Sequence, residues 1–195
     1  MSTVKQYNRI ISYRRHTVFK MKLSPKVIVL FFLFNVVFLP HLFARDKAIV
    51  LSVIDSDTLR VRYKSNEERF KLVGITTPDT KLNSAVLDNA EKYEKDVNDI
   101  LLIGKRTLEF TKSLVKPNDK VSIEFDIQFL DKDGRYLGYV YLEDGRMLNE
   151  EIIKAGFASP SAERLNVKYK KKFQKAFADA RENRKGLWNP AESGK

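Results

Sequence analysis

Two groups of carboxylates set on turns, with one arginine beside the second, are the residues of this chain best placed to do chemistry. The first group is Ile54-Asp55-Ser56-Asp57-Thr58, which runs on into the alternating Leu59-Arg60-Val61-Arg62-Tyr63. The second is Asp131-Lys132-Asp133-Gly134-Arg135, followed by Tyr136-Leu137-Gly138-Tyr139. Between them lies Arg69-Phe70-Lys71-Leu72-Val73-Gly74-Ile75-Thr76-Thr77-Pro78-Asp79-Thr80. Carboxylates on turns after apolar strands can hold a hard cation, which takes oxygen ligands. An arginine fork can grip two oxygens of one phosphate. The layout therefore suits a hard cation held beside a phosphodiester. Plainer readings stay open. Asp55 and Asp57 would also shape a β-turn, and Asp133-Gly134 is a strong hairpin signal. The second group does not continue as an EF-hand loop, because position 142 is Leu where that loop requires Glu.

The elements that must position these residues read as strands first and helices later. Ala48 to Ile54 is apolar and β-branched. Leu59, Val61 and Tyr63 alternate with Arg60, Arg62 and Lys64, the period of a half-buried strand. A turn at Ser65-Asn66-Glu67 leads into a strand from Arg69 to Ile75, giving a three-stranded meander. Pro78 stops the sheet, since it has no ladder donor. Val86 to Val115 reads as mainly helical, with a break or kink at Gly104 and a solvated helical insertion near 87–102. Val121, Ile123 and Phe125 mark a fourth strand, and Tyr136 to Leu142 a fifth. Met147 to Ala155 and Asn166 to Arg184 read as helices. Tyr169, Phe173, Ala176, Phe177 and Ala180 should face the core, and the Lys168-Lys170-Lys171-Lys172 run should face solvent. Trp188 should anchor the last helix.

Residues 1–44 form a separate leader. They carry seven Lys/Arg and no acid, so residues 45–195 keep only +4 of the chain's net charge of +11. The high overall charge is therefore weak support for nucleic-acid binding. Val27 to Leu39 is apolar except for Asn35 and ends at Pro40. That run is shorter than the about 20 residues a membrane span needs, and it suits the core of a cleaved secretory signal, with a retained anchor as the alternative. Met21-Lys22-Leu23-Ser24-Pro25-Lys26 would serve as a compact start, and Ala44 as the last residue before cleavage. The expectation is export, to the periplasm or the medium, of a monomeric domain spanning 45–195 with no lasting membrane association. The chain has no cysteine, and its two histidines, His16 and His41, both lie in the leader. Disulfides, thiol chemistry and histidine catalysis are thus excluded from the domain.

In order and spacing the motifs resemble the staphylococcal nuclease (thermonuclease) family. That family reads roughly I-D-G-D-T, R-L-x-x-I-D-T-P-E, D-K-Y-G-R-x-L-A-Y, D-G-x-x-x-N and G-L-W. Here the segments are Ile54 to Thr58, Lys71 to Asp79, Asp131 to Tyr139, Asp144 to Asn149, and Gly186-Leu187-Trp188. The resemblance covers about residues 47–189 and implies an α+β fold, mainly β: an OB-fold five-stranded barrel with about three packed helices. It implies a Ca²⁺-dependent hydrolase acting on single-stranded DNA or RNA. Carried over by position, Asp57 and the Thr77 carbonyl are metal ligands, Asp79 acts on water, and Arg135 with Lys71 holds phosphate. Asp55 falls on the outer acid of its motif. Three positions depart from the pattern. Thr76 stands in place of a second carboxylate ligand, Lys71 in place of an arginine, and Asp79 in place of a glutamate. Fewer anionic ligands weaken Ca²⁺ binding, and lysine lacks the planar fork. A misplacement of about 1 Å can cost on the order of 10²-fold in rate. The family's tyrosine in D-K-Y-G-R is Asp133 here, and Phe157 to Arg164 holds no tyrosine. Base stacking contributes roughly 1–3 kcal/mol per base, so affinity for nucleotides should be low. The alternative is an OB-fold nucleic-acid-binding module that has lost the reaction.

Overall fold

The computed structural model describes residues 45–93, 96–162 and 168–189. The leader readings, and residues 163–167, lie outside the described residues. The alternation read from the sequence is realised in strand β2 (Thr58–Tyr63): Leu59, Val61 and Tyr63 are buried, while Arg60 and Arg62 are exposed. Strand β2 pairs antiparallel with β1 (Asp46–Asp55) and with β3 (Asn66–Leu72). The barrel closes through β5 (Lys120–Glu124) and β6 (Tyr136–Tyr141) in the order β1-β2-β3-β6-β5, with β3 and β6 parallel. A pair of short strands, β4 (Ile75–Thr76) and β7 (Ser159–Pro160), lies outside it. With its packed helices this is the expected OB-type architecture.

The barrel interior is filled by alternate residues of all five strands, among them Val50, Leu59, Val61, Phe70, Ile123 and Val140, while Tyr139 faces the other way, against Phe173 and Tyr169. One end is closed by an aromatic group in which the Phe70 and Tyr136 rings stack at 5.0 Å. Apolar burial of this kind contributes about 25 cal/mol per Å². Helix α3 (Leu148–Lys154) inserts Leu148, Ile152 and Ile153 into the same core, and α4 (Lys170–Glu182) adds Phe173. Trp188, in a 3₁₀ turn at Gly186–Trp188, packs edge-on against Phe177 at 5.4 Å.

Several expected boundaries shift. The β2–β3 turn is Lys64-Ser65, both at positive φ (47° and 71°). That is the handedness a two-residue hairpin demands, reached here without glycine. The strand expected from Arg69 to Ile75 breaks at Val73-Gly74 into β3 and β4. The long helical stretch is two helices, α1 (Ser84–Tyr93) and α2 (Val97–Leu114). Asp96 caps the second, its side chain accepting from the Asn98 amide at 2.7 Å. Gly104 does not break the helix but lies inside α2. Nor is the extension wholly solvated, since Val86 and Ala90 pack with Ile100 in a small core of their own. The last helix starts at Lys170. Its lysines are not all idle: Lys172 pairs with Glu150 at 2.7 Å and Lys168 pairs with Glu124, tying this helical region to α3 and to the barrel.

Candidate active site

Strand ends and turns bring the candidate residues to one cleft of about 340 Å³, lined by Asp55, Asp57, Lys71, Thr76, Thr77, Asp79 and Arg135 among others. Asp57 sits on the β1–β2 turn, and β1 carries register irregularities at Val50/Ser52 and Val53/Asp55 just before it. Such bulges re-aim side chains at the rim of a barrel. The turn is pinned from below. The Asp57 carbonyl accepts from the Leu72 amide at 2.8 Å, and Ser56 is fully buried against α2. The Thr111 hydroxyl lies 2.9 Å from the Ser56 carbonyl and 3.1 Å from that of Thr107.

Asp57 is only 9% exposed, and both its carboxylate oxygens are engaged. Oδ1 accepts from the Thr58 hydroxyl at 2.8 Å, and Oδ2 accepts from Lys71 Nζ at 2.6 Å. Lys71 reaches it because the β2–β3 register sets Lys71 opposite Thr58. Asp55 accepts from the Ser56 amide at 2.8 Å and from the Thr80 hydroxyl at 3.1 Å, which joins the two acidic loops. Asp79 is half-buried and has no hydrogen-bond or ion-pair partner among the described residues.

Arg135 is held from within its own turn. Its amide and its Nε donate to the two Asp131 oxygens at 2.9 and 2.7 Å, and one terminal nitrogen lies 3.4 Å from Asp133 Oδ2. Burial alone would raise the Asp131 carboxyl. The Arg135 amide, the guanidinium and the Asp133 amide outweigh that and hold it below the ordinary carboxylate range. The carboxylate thus stays ionised and fixes the guanidinium. Arg135 and Lys71 also line a second hollow of about 360 Å³, with Gln128, Lys132, Asp133 and Leu137.

The segment bearing Thr76 to Asp79 is fastened at three points that the motifs alone did not reveal. Strand β7 pairs Ser159 with Thr76, and the Ser161 amide donates to the Gly74 carbonyl at 2.9 Å. The fully buried Asn149 accepts from the Val140 amide at 3.0 Å and donates to the Val73 carbonyl at 2.9 Å. Gly104 of α2 lies directly under Asp79, where a Cβ would fall 2.0 Å from the Asp79 carbonyl oxygen. A glycine inside a helix costs about 1 kcal/mol against alanine. Such a residue usually has a packing reason, and that was the available signal. Asn149 stood in a motif without an assigned role.

Oxygen-bearing residues make up much of the cleft lining, among them Asp55, Asp57, Thr77 and Asp79. That donor set fits Ca²⁺ in kind. In number it is lean, since among the described residues no three Asp, Glu, His or Cys side chains gather as a metal site. Thr76 also lines the cleft and adds no charge to it.

Residues 69–190 match the family model described as staphylococcal nuclease homologue. The chain is 33% identical over 141 residues to a thermonuclease of Staphylococcus hyicus, covering 72% of this chain and 74% of that protein. It is 33% identical over 144 residues to a thermonuclease of Staphylococcus intermedius, covering 73% and 76%. A Bacillus subtilis protein named endonuclease YhcR is 29% identical over 149 residues, but that stretch is 11% of its length. The match to the family model and the extent of the thermonuclease alignments place this chain in the staphylococcal nuclease homologue family.

Proposed function

We propose that the domain is a nuclease that hydrolyses phosphodiester bonds of DNA or RNA with Ca²⁺, and that it acts outside the cytoplasm. The observation that carries this reading is the meeting of Asp57, Lys71, Asp79 and Arg135 in one cleft, from four separate turns and strand ends. The named activities of its relatives support the same class.

Asp57 and the Thr77 carbonyl would hold Ca²⁺, whose chemistry when bound is to neutralise phosphoryl charge. Everything else falls to this chain's own side chains. Arg135, oriented by Asp131, offers its remaining nitrogens to the non-bridging oxygens of the phosphate. These donors are already in place as charge develops in the transition state, so little reorganisation is needed then. Asp79, with no partner among the described residues, is placed to orient a water and accept its proton. Its side chain is one methylene shorter than glutamate, so the water must sit closer to the loop. Thr76 supplies no charge, which points to weak metal binding and slow turnover.

The test is cleavage of single-stranded DNA by the purified protein with Ca²⁺ and then with chelator. Chelator-sensitive cleavage is expected. Arg135→Ala should lower the rate by about 10²–10³-fold, and Asp79→Ala should lower it comparably. Cleavage that survives both substitutions, or no cleavage at high protein concentration, removes the proposal and leaves the binding-module reading. Export is supported by the composition of residues 1–44 and is checked by N-terminal sequencing of protein recovered outside the producing cell.

A further inference from the structure

We infer that Lys71 is a resident counter-ion that occupies the cation seat at Asp57, so that a divalent ion can bind there only by displacing its ammonium. The inference rests on the nuclease reading for its purpose but not for its geometry. Asp57 is 9% exposed, and its Oδ2 lies 2.6 Å from Lys71 Nζ. A carboxylate so enclosed needs a compensating positive charge, because an unpaired buried ion is costly.

The other cation that lines the cleft, Arg135, pairs with the acids of its own turn and not with Asp57. Arg135 Nε and its backbone amide are committed to Asp131. Thr76, exposed at the cleft, brings no charge. Asp55 and Asp79 line the same cleft, but the Lys71 ammonium is paired with Asp57 and balances that charge. The barrel itself enforces the arrangement. Antiparallel register places Lys71 opposite Thr58, the residue next to Asp57, and the Thr58 hydroxyl occupies the other oxygen. Lys71 also lines the adjoining hollow with Arg135. Displaced from Asp57, it can turn to a phosphate there without leaving the site. Cation entry and phosphate capture then become linked events: the metal frees the lysine that the phosphate needs. By reciprocity a bound phosphate favours the metal equally.

The experiment is titration calorimetry of the full chain with Ca²⁺ and no nucleic acid, on the wild type, Lys71→Met, Lys71→Gln and Lys71→Met/Asp57→Asn. Both single variants remove the competing ammonium and keep the stem volume; they leave Asp57 uncompensated and so should melt lower without Ca²⁺, but Lys71 is partly exposed and the fold should persist. Thermal melting confirms it. The expected result is Ca²⁺ affinity about tenfold tighter in both single variants, equivalent to about 1.4 kcal/mol. The gain should vanish when Asp57→Asn is added. Affinity unchanged or weaker in Lys71→Met, or no detectable Ca²⁺ binding in any form, overturns the inference. The outcome separates from the nuclease proposal. Tightening without cleavage in any form removes only the nuclease reading, whereas chelator-sensitive cleavage with an unmoved affinity removes only this one.

Discussion

Replacing Gly104 with alanine adds a single methyl group to a helix that should welcome it, and yet it should cripple the site. In an open helix the change favours stability by about 1 kcal/mol. Here the new carbon would fall 2.0 Å from the Asp79 carbonyl oxygen, 2.6 Å from its carbon and 3.1 Å from the Thr80 nitrogen. Ordinary contact begins at 3.4 Å, so helix and loop must part by about 1.4 Å. The obstacle is backbone and cannot rotate away. Overpacking strain of this kind costs about 1–3 kcal/mol, partly offset by helix propensity, so a net loss of at most about 2 kcal/mol is expected. The rate should suffer more. A displacement of about 1 Å at a reacting group costs on the order of 10²-fold, and the loop that moves carries Asp79 and Thr77. The assay pairs cleavage of a fluorescent single-stranded oligonucleotide with thermal melting, and Lys105→Ala on the exposed face of α2 is the control. A Gly104→Ala protein that melts near the wild type and cuts within about threefold of its rate would refute the reasoning, because the Asp79 loop would then not depend on that close approach.

Three further outcomes are expected. Asn149→Ala strands the Val140 amide and the Val73 carbonyl in the interior; at about 1–3 kcal/mol per unsatisfied group, urea denaturation should report a loss of about 2–6 kcal/mol. Burial would raise the Glu150 carboxyl, but Lys172 and Lys154 outweigh it and hold it low; Glu124 is lowered against its own burial by Lys168, Tyr169 and Tyr141. Groups depressed in the fold stabilise it above their unfolded values and lose that contribution as pH falls through the folded ones. Stability should therefore drop below about pH 4, and Glu150→Gln should flatten that acid limb in melting curves taken across pH. Finally, Thr76→Asp restores a carboxylate to the cleft. It should tighten Ca²⁺ binding by calorimetry and raise turnover, and weaker binding would show that position 76 does not face the cation seat.

The strands of the barrel were legible because burial alternates so cleanly in Leu59-Arg60-Val61-Arg62-Tyr63. The gathering of Asp57, Asp79 and Arg135 was readable only through the order of their motifs, since no local rule relates residues so distant in sequence. Register was harder. A hairpin turn centred on Asn66 would have set Lys71 opposite Val61. The actual turn at Lys64-Ser65 sets it opposite Thr58 and so against Asp57. Register depends on turn position, and this turn lacks the Gly or Asn that normally announces its handedness. Gly104 was misread because helix propensity weighs the isolated helix, whereas here the reason lies in a loop from elsewhere in the chain. The α1 extension hid a small core because Val86, Ala90 and Ile100 span two helices with a break between them.

Asn149 also bears on how the molecule comes apart. Its carboxamide bridges strand β6, inside the barrel, to the carbonyl of Val73 at the root of the segment that carries Thr76 to Asp79. That segment cannot peel away while the barrel stays whole without abandoning a buried donor. Amide deuterium uptake at Val140 should therefore proceed through whole-domain opening. Loss of activity on heating should keep step with that exchange, with no earlier fraying of the site.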